Sequence, residues 1–349
     1  MKVLVTGHRG YIGSVLTPML LERGHEVTGY DSDIFRSCTF TGDLAETPAI
    51  EKDIRDVNID DVIGFDAIIH LAGLSNDPLG DYKPNLTEEI NDRASVKLAT
   101  LAKRAGVKRF LYASSCSNYG ASGDNFLDET AAFNPVTPYG VSKVNVERAV
   151  SPMADENFSP TFLRASTAYG MSPRIRFDLV LNNLTAWAYT TGQVYLKSDG
   201  SPWRPIVHVE DIARAYVAAM EAERDQVHNE AFNVGLTTEN YQIREIADIV
   251  KAVVPNSHVE YAPDASPDLR CYRVDCNYIG RKLHGFKPQW TARRGVEQLY
   301  EAFCDTDLTL DEFEGERFKR ISHIKKLIRE GELSEDLRPS HVGAEAIAV

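Results

Sequence analysis

A chain of 349 residues, 43% hydrophobic and 26% charged, has globular composition and length enough for one large domain or two modest ones. Its formal charge of −13, with no Lys/Arg run concentrating the basic residues, repels phosphate backbones, so nucleic acid is not an expected partner. Cysteines at 38, 116, 271, 276 and 304 form no CxxC pair and adjoin no helical His pair, which argues against a disulfide framework and against a zinc site.

The chain opens with "KVLVT" (2 to 6), a short apolar run leading directly into the glycine-rich "GHRGYIG" and then a helical pattern, "YIGSVLTPMLLERG". Further apolar runs follow at "HEVTGYD" (25 to 31), "FDAIIHLAG" (65 to 73), "KRFLYASS" (108 to 115) and "SPTFLRAS" (159 to 166), rich in Val, Ile, Leu and Phe without strict alternation, as strands buried on both faces require. Helical stretches lie between them, notably "TEEINDRASVKLATLAKRAG" and "TPYGVSKVNVERAV". This β-then-α order predicts an α/β protein with a doubly wound parallel sheet. Beyond residue 170 the spacing predicts helices over about 176 to 191, after "VHVEDI" (207 to 212) and within 241 to 254, with strand-like pieces "QVYLK", "AFNVG" and "HVEYA" among them. No Pro/Gly/Ser-rich linker divides the chain, so a smaller α/β lobe is expected to interleave with the last strands of the sheet. Phe313, Phe318, Ile321, Ile324 and Leu327 fit an amphipathic helix within 307 to 335, and the final "HVGAEAIAV" is expected to fray. No run approaches 18 apolar residues and no leader pattern opens the chain, which leads us to expect a soluble, cytoplasmic protein without a membrane partner.

Gly7, Gly10 and Gly13 recur every third residue between the first strand and the first helix, where the backbone must turn with positive φ and approach a ligand closely. Together with the helix N–H groups at Tyr11 and Ile12 they make a Rossmann-type pyrophosphate cradle. Asp31 closes the second strand 18 residues after Gly13, where a carboxylate accepts from both ribose hydroxyls and repels a 2′-phosphate; NAD is therefore expected over NADP, although Arg9 and Arg36 lie nearby. Asp53 and Ile54 are expected to meet the adenine, and Leu71, Ala72 and Gly73 to line the middle of the cofactor, with His70 only packing.

Tyr139 and Lys143 stand one above the other on a helix capped by Thr137 with Pro138 in its first turn. A phenol useful at neutral pH needs its pKa lowered by about 3 units from 10, which a neighbouring ammonium and a nicotinamide ring could supply together. Following the glycine turn and Asp31, this pair and the cluster "SSCSNYG" (114 to 120) resemble the extended short-chain dehydrogenase/reductases, specifically the NAD-dependent epimerase/dehydratase branch acting on nucleotide sugars. The likeness covers about residues 1 to 300 and implies Ser115, Tyr139 and Lys143 as catalytic residues, with Ser114 supporting the cofactor. A serine hydrolase is not expected, because no His–acid pair or nucleophile elbow accompanies the serines.

The same resemblance narrows the reaction. Sugar dehydratases carry an Asp-Glu pair where this chain has Cys116 and Ser117, decarboxylases carry a Glu at the second of these positions, and reducing epimerases carry a Cys there. For Cys116 a small buried filler is the expected role, with an acid/base group or a substrate contact as the alternatives; Ser117 is a candidate for substrate contact, and 4-epimerisation through a transient 4-keto sugar is the economical reading. Another oxidoreductase or dehydratase step of the family is the alternative; a non-catalytic dinucleotide-binding regulator is a third, of a different class. For the substrate diphosphate the resemblance implies Arg204 in "SPWRPIVHVEDIA", Asn182 or Asn183 in "LVLNNL", and Arg270 in place of the usual arginine, where this chain has Ser266. It further implies a homodimer seamed by the helices holding 90 to 105 and 139 to 154. The expected organisation is an NAD-binding unit at 1 to 172 completed by parts of 205 to 236, a substrate-binding lobe at 173 to 204 and 237 to 305, and a C-terminal helical extension and tail at 306 to 349.

Overall fold

The structure, a computed structural model, describes residues 1–75, 83–121, 125–263 and 271–340. Seven parallel strands make the main sheet: β1 (Lys2–Thr6), β2 (Glu26–Asp31), β3 (Ala49–Glu51), β4 (Ala67–His70), β5 (Arg109–Ser115), β7 (Ser159–Ala165) and β11 (Glu230–Val234). Their spatial order is β11-β7-β5-β4-β1-β2-β3. The chain reverses direction between β1 and β4, and a doubly wound sheet opens its ligand crevice at the carboxyl ends of the strands flanking that point. Val3, Leu4 and Val5 are wholly buried, which explains why β1 is an uninterrupted apolar run.

One sheet face is covered by α1 (Gly13–Glu22) and α5 (Val209–Glu221), which join Val3, Val5, Ile69 and Leu163 in a single core. The other is covered by α2 (Ala94–Arg104) and α3 (Pro138–Val150), packed on Leu4, Ile68, Phe110 and Phe162. The third core belongs to the smaller lobe, where α4 (Val180–Thr191), α6 (Ile243–Val253) and α7 (Ala292–Asp305) surround Ile206 and Leu196. Three short sheets lie outside the main one: β8 (Thr167–Tyr169), β10 (Trp203–His208) and β12 (Asn240–Gln242) form one, β9 (Gln193–Leu196) pairs with β13 (His258–Tyr261), and β6 (Phe126–Leu127) pairs with β14 (Arg273–Val274) beside Cys116 and Tyr119.

The C-terminal segment differs from the expected single helix. It forms Leu310–Glu314 and α8 (Arg320–Arg329), broken at Gly315, where extended backbone turns the chain and a Cβ would stand 2.4 Å from the Asp311 carbonyl oxygen. The break serves two cores: Phe313 and Phe318 pack in the smaller lobe, Ile324 and Leu327 on the sheet. The tail "HVGAEAIAV" lies outside the described residues. Among those described, no helix is long and apolar enough to cross a membrane, and no group of three or more His, Cys, Asp or Glu could hold a metal.

Candidate active site

A cavity of about 650 Å³ opens at the carboxyl ends of β1 and β4, and the sequence-expected residues converge on it. Gly7, Gly10, Tyr11, Ile12 and Gly13 form one wall. Gly7 has φ +73°, and a Cβ there would stand 2.8 Å from the Ala72 nitrogen. At Gly13 the added atom would lie 2.2 Å from the Gly7 carbonyl oxygen and 2.6 Å from the His8 Cα, both rigid backbone. Gly13→Ala is therefore expected to cost about 2–4 kcal/mol and to prevent dinucleotide binding, measured by thermal unfolding together with calorimetric titration of NAD. Unchanged stability and binding would show that the turn is not a close-packed cradle.

Asp31 lines the cavity at the end of β2 and accepts from the N–H groups of Arg9 (3.0 Å) and Asp33 (2.8 Å). Burial raises its carboxyl pKa, against the lowering by those two N–H groups. The cations that a 2′-phosphate would need are already taken. Arg9 lies 2.8 Å from Asp33 and 3.5 Å from Glu51, and Arg36 pairs with Glu51 at 2.7 Å. Asp53, Ile54, Leu71, Ala72 and Gly73 also line the cavity. The Asp53 carboxylate grips Arg55 at 2.6 Å, and its pKa is lowered overall: burial raises it, but the bonds from Arg55 prevail. His70 only packs: Thr6 lies 2.6 Å from Nδ1 and Ser95 2.7 Å from Nε2, and burial pushes its pKa down to about 3.

Tyr139 and Lys143 reach the same cavity from α3, whose first turn is capped as expected by Thr137, accepting from Gly140 N–H at 3.1 Å, with Pro138 at its start. The Lys143 Nζ donates to the Ala113 carbonyl at 2.6 Å and lies 5.4 Å from the Tyr139 ring centre and 4.7 Å from that of Tyr112. Burial lowers the lysine to about 7, partly opposed by Glu147. The folded protein therefore releases this proton near neutrality while the unfolded chain holds it to about pH 10.4. Between those limits the unfolded state binds more protons, so this lysine makes stability rise with pH from about 7 to 10. Lys143→Met is expected to flatten that slope in urea midpoints measured across the window; an unaltered slope would contradict the lysine's burial as its source.

The serine cluster divides. Ser114, Ser115 and Ser117 line the cavity, and the hydroxyls of Ser115 and Ser117 are hydrogen-bonded to each other. Cys116 faces the other way. It is fully buried, its Sγ donates to the Arg164 carbonyl at 3.2 Å, and burial pushes the thiol up to about 12. Substrate contact by Cys116 is thereby corrected: the chain leaves β5 after Ser115 and turns tightly over Cys116–Tyr119, which puts the Cys116 side chain in the interior against Arg164. Ser114 is braced from below by Glu147 and by Asn118 Nδ2 at 3.1 Å. Glu147 in turn holds Arg164, at 2.6 Å for the shortest contact, and this buried network lies outside the residues the sequence singles out. Its signal was present, since Tyr139, Lys143 and Glu147 follow one another at four-residue spacing on one helix face.

On the substrate side, Arg204 lines the cavity, with its Nη1 donating to the Trp203 carbonyl at 3.0 Å and its guanidinium 5.9 Å from the Tyr272 ring. Asn182 and Asn183 do not line it, which corrects their assignment to a phosphate. The Asn182 amide accepts from Gly170 N–H at 2.9 Å and donates to the Arg176 carbonyl at 3.0 Å, while Asn183 donates to Phe177 at 2.9 Å. Both asparagines lock the turn before α4. Arg270 lies outside the described residues. Arg176, Asp178, Arg320 and Leu337, none of them anticipated, line the cavity as well.

The shape of the glycine turn, the acids that engage the cations around the end of β2, and the position of the tyrosine-lysine pair define a Rossmann-fold enzyme that uses an NAD-type dinucleotide. The chain belongs to the NAD-dependent epimerase/dehydratase family, whose sequence model matches residues 3–235, and NAD is its cofactor. It is 29% identical over 324 residues to a UDP-glucose 4-epimerase of Corynebacterium glutamicum, covering 87% of this chain and 95% of that protein. The fold superposes on UDP-glucose 4-epimerase of Thermotoga maritima with UDP-glucose at a TM-score of 0.77 and 25% identity, over 88% of this chain and 100% of the other. It also superposes on MoeE5 in complex with UDP-glucuronic acid and NAD, at a TM-score of 0.76 and 26% identity, with the same coverage.

Proposed function

We propose that this protein is a nucleotide-sugar 4-epimerase, inverting the C4 hydroxyl of a sugar carried on a nucleoside diphosphate. The observation that carries this reading is that Ser115, Tyr139 and Lys143 share one cavity with the glycine turn, while the neighbouring positions 116 and 117 hold a thiol turned inward and a hydroxyl. The UDP-glucose 4-epimerases among its relatives support it. NAD, when bound, supplies the acceptor and donor of hydride. Tyr139 takes the proton of the C4 hydroxyl and later returns it. Ser115 hydrogen-bonds the same oxygen, and the charged form of Lys143 favours ionisation of the phenol. Arg204 holds the diphosphate, leaving the sugar ring to rotate and present its other face.

The test is incubation of the protein with NAD and, separately, UDP-, GDP-, dTDP- and CDP-hexoses. Epimerisation gives a product of unchanged mass with an altered C4 proton coupling in NMR. A product lighter by one water establishes dehydration instead, and binding of NAD without turnover of any sugar establishes a regulator. We infer also that two copies pair through α2 and α3, whose outward residues include Val141. Light scattering at micromolar concentration is expected to give twice the chain mass, and a single-chain mass would overturn the pairing.

A further inference from the structure

We propose that the C-terminal segment completes the cofactor cavity, and that Arg320 is a cofactor-binding residue whose guanidinium pairs with the pyrophosphate of the bound dinucleotide. This rests on the assignment of NAD to the cavity. Arg320 and Leu337 line that cavity together with the glycine turn, although some three hundred residues separate them from it in the chain. Two anchors hold the segment across the opening. Arg317 donates to the Ser37 and Thr39 carbonyls at 2.9 and 2.7 Å, in the loop after β2, and Arg55, beyond β3, donates to the Asp336 carbonyl at 2.9 Å. Both loops flank the side of the cavity that Asp31 and Asp53 mark out.

The charges around Arg320 do not balance. Its side chain is 6% exposed, Nη2 reaches the Arg174 carbonyl at 3.3 Å, the guanidinium stacks on the Phe35 ring at 3.9 Å, and Nη1 has no hydrogen-bond partner among the described residues. The nearby carboxylates are engaged elsewhere: Asp33 takes Arg9 and Arg174, at 2.8 and 3.1 Å, and Asp178 takes Arg176 at 2.6 Å. Burial above all, with further lowering from Arg176 and Arg174 that Cys38 and Asp178 only partly oppose, brings Arg320 down to about 10. Asp178 acts on Arg320 only at a distance, and among the described residues no carboxylate forms an ion pair with it; a cation buried in that way is unfavourable, so an anion belongs beside it. The cavity receives two such anions, the dinucleotide pyrophosphate and the nucleotide-sugar diphosphate. Stacking on Phe35, four residues beyond Asp31, places Arg320 on the dinucleotide side, whereas Arg204 enters from the smaller lobe.

The test measures binding of NAD, ADP-ribose, adenosine and UDP to the full chain by calorimetry, for wild type, Arg320→Gln and Arg320→Lys. Loss of a charge-assisted hydrogen bond predicts about 10- to 100-fold weaker binding of NAD and ADP-ribose to Arg320→Gln, partly restored in Arg320→Lys. Adenosine, which carries no phosphate, and UDP should bind all three proteins alike. A uniform loss for NAD and adenosine would reduce Arg320 to a structural prop, a loss confined to UDP would move it to the substrate, and unchanged NAD affinity would remove it from the site; each overturns the proposal. Failure of the wild type to bind NAD at all would instead bring down the cofactor assignment beneath it.

Discussion

Tyr139→Phe is expected to lower kcat by about 10²- to 10⁴-fold on whichever nucleotide sugar the wild type converts, the usual contribution of a positioned acid/base. The substitution removes one oxygen and leaves the ring, so the packing around Lys143 and the 5.4 Å approach of its Nζ are preserved. NAD affinity and thermal stability should therefore change little, separating lost chemistry from lost structure. Lys143→Met should reproduce much of the loss in kcat and also displace the acid limb of the pH–rate profile. That limb belongs to the tyrosine-lysine pair as a coupled unit rather than to either residue alone. Undiminished turnover by Tyr139→Phe would remove the phenol from the mechanism.

Arg164→Leu is expected to destabilise the fold by about 3–5 kcal/mol, the cost of stranding one partner of a buried ion pair. Both side chains are 6% exposed, and Glu147 accepts from Arg164 Nε at 3.0 Å and Nη2 at 2.6 Å. Without the arginine, a carboxylate would remain buried beneath Ser114 with only Ser114 and Asn118 to bond it. Tyr119 would lose the 3.0 Å bond that its hydroxyl accepts. Replacing both members, Glu147→Leu with Arg164→Leu, should recover part of the loss, because two apolar groups leave no orphaned charge. Urea midpoints of Arg164→Leu and of the double variant, against wild type at pH 7, decide it. A single variant as stable as wild type would show that the pair does not hold the floor of the site.

How far the sequence carries depends on the physics of each element. The runs 2 to 6, 108 to 115 and 159 to 166 match β1, β5 and β7 to within a residue, because strands buried on both faces have no polar alternation to blur their ends. β3 was missed: it is a three-residue edge strand following Pro48, with little burial to impose a pattern. The helix expected from about 176 begins at Val180, since Arg176 and Asp178 form an ion pair in the turn that walls the cavity. The glycine turn, Asp31, Tyr139 and Lys143, whose spacing local geometry fixes, line one cavity, and so does Ser115, which the family resemblance and not its spacing singles out. Arg320 was not: in "RFKRISHIKK" it is one cation among several, and only the tertiary fold buries it against Phe35. Asn182 and Asn183 misled for the converse reason, being polar residues whose partners are the backbone of their own turn.

In the proposed reaction a hydride leaves and returns to the same carbon within one cavity. This is tested most directly with a nucleotide hexose deuterated at C4, incubated with the wild-type protein and NAD in ordinary water and analysed by NMR. The account predicts an inverted C4 centre that keeps its deuterium, formed more slowly than from the unlabelled sugar. An inverted product in which solvent hydrogen has replaced the label would contradict it.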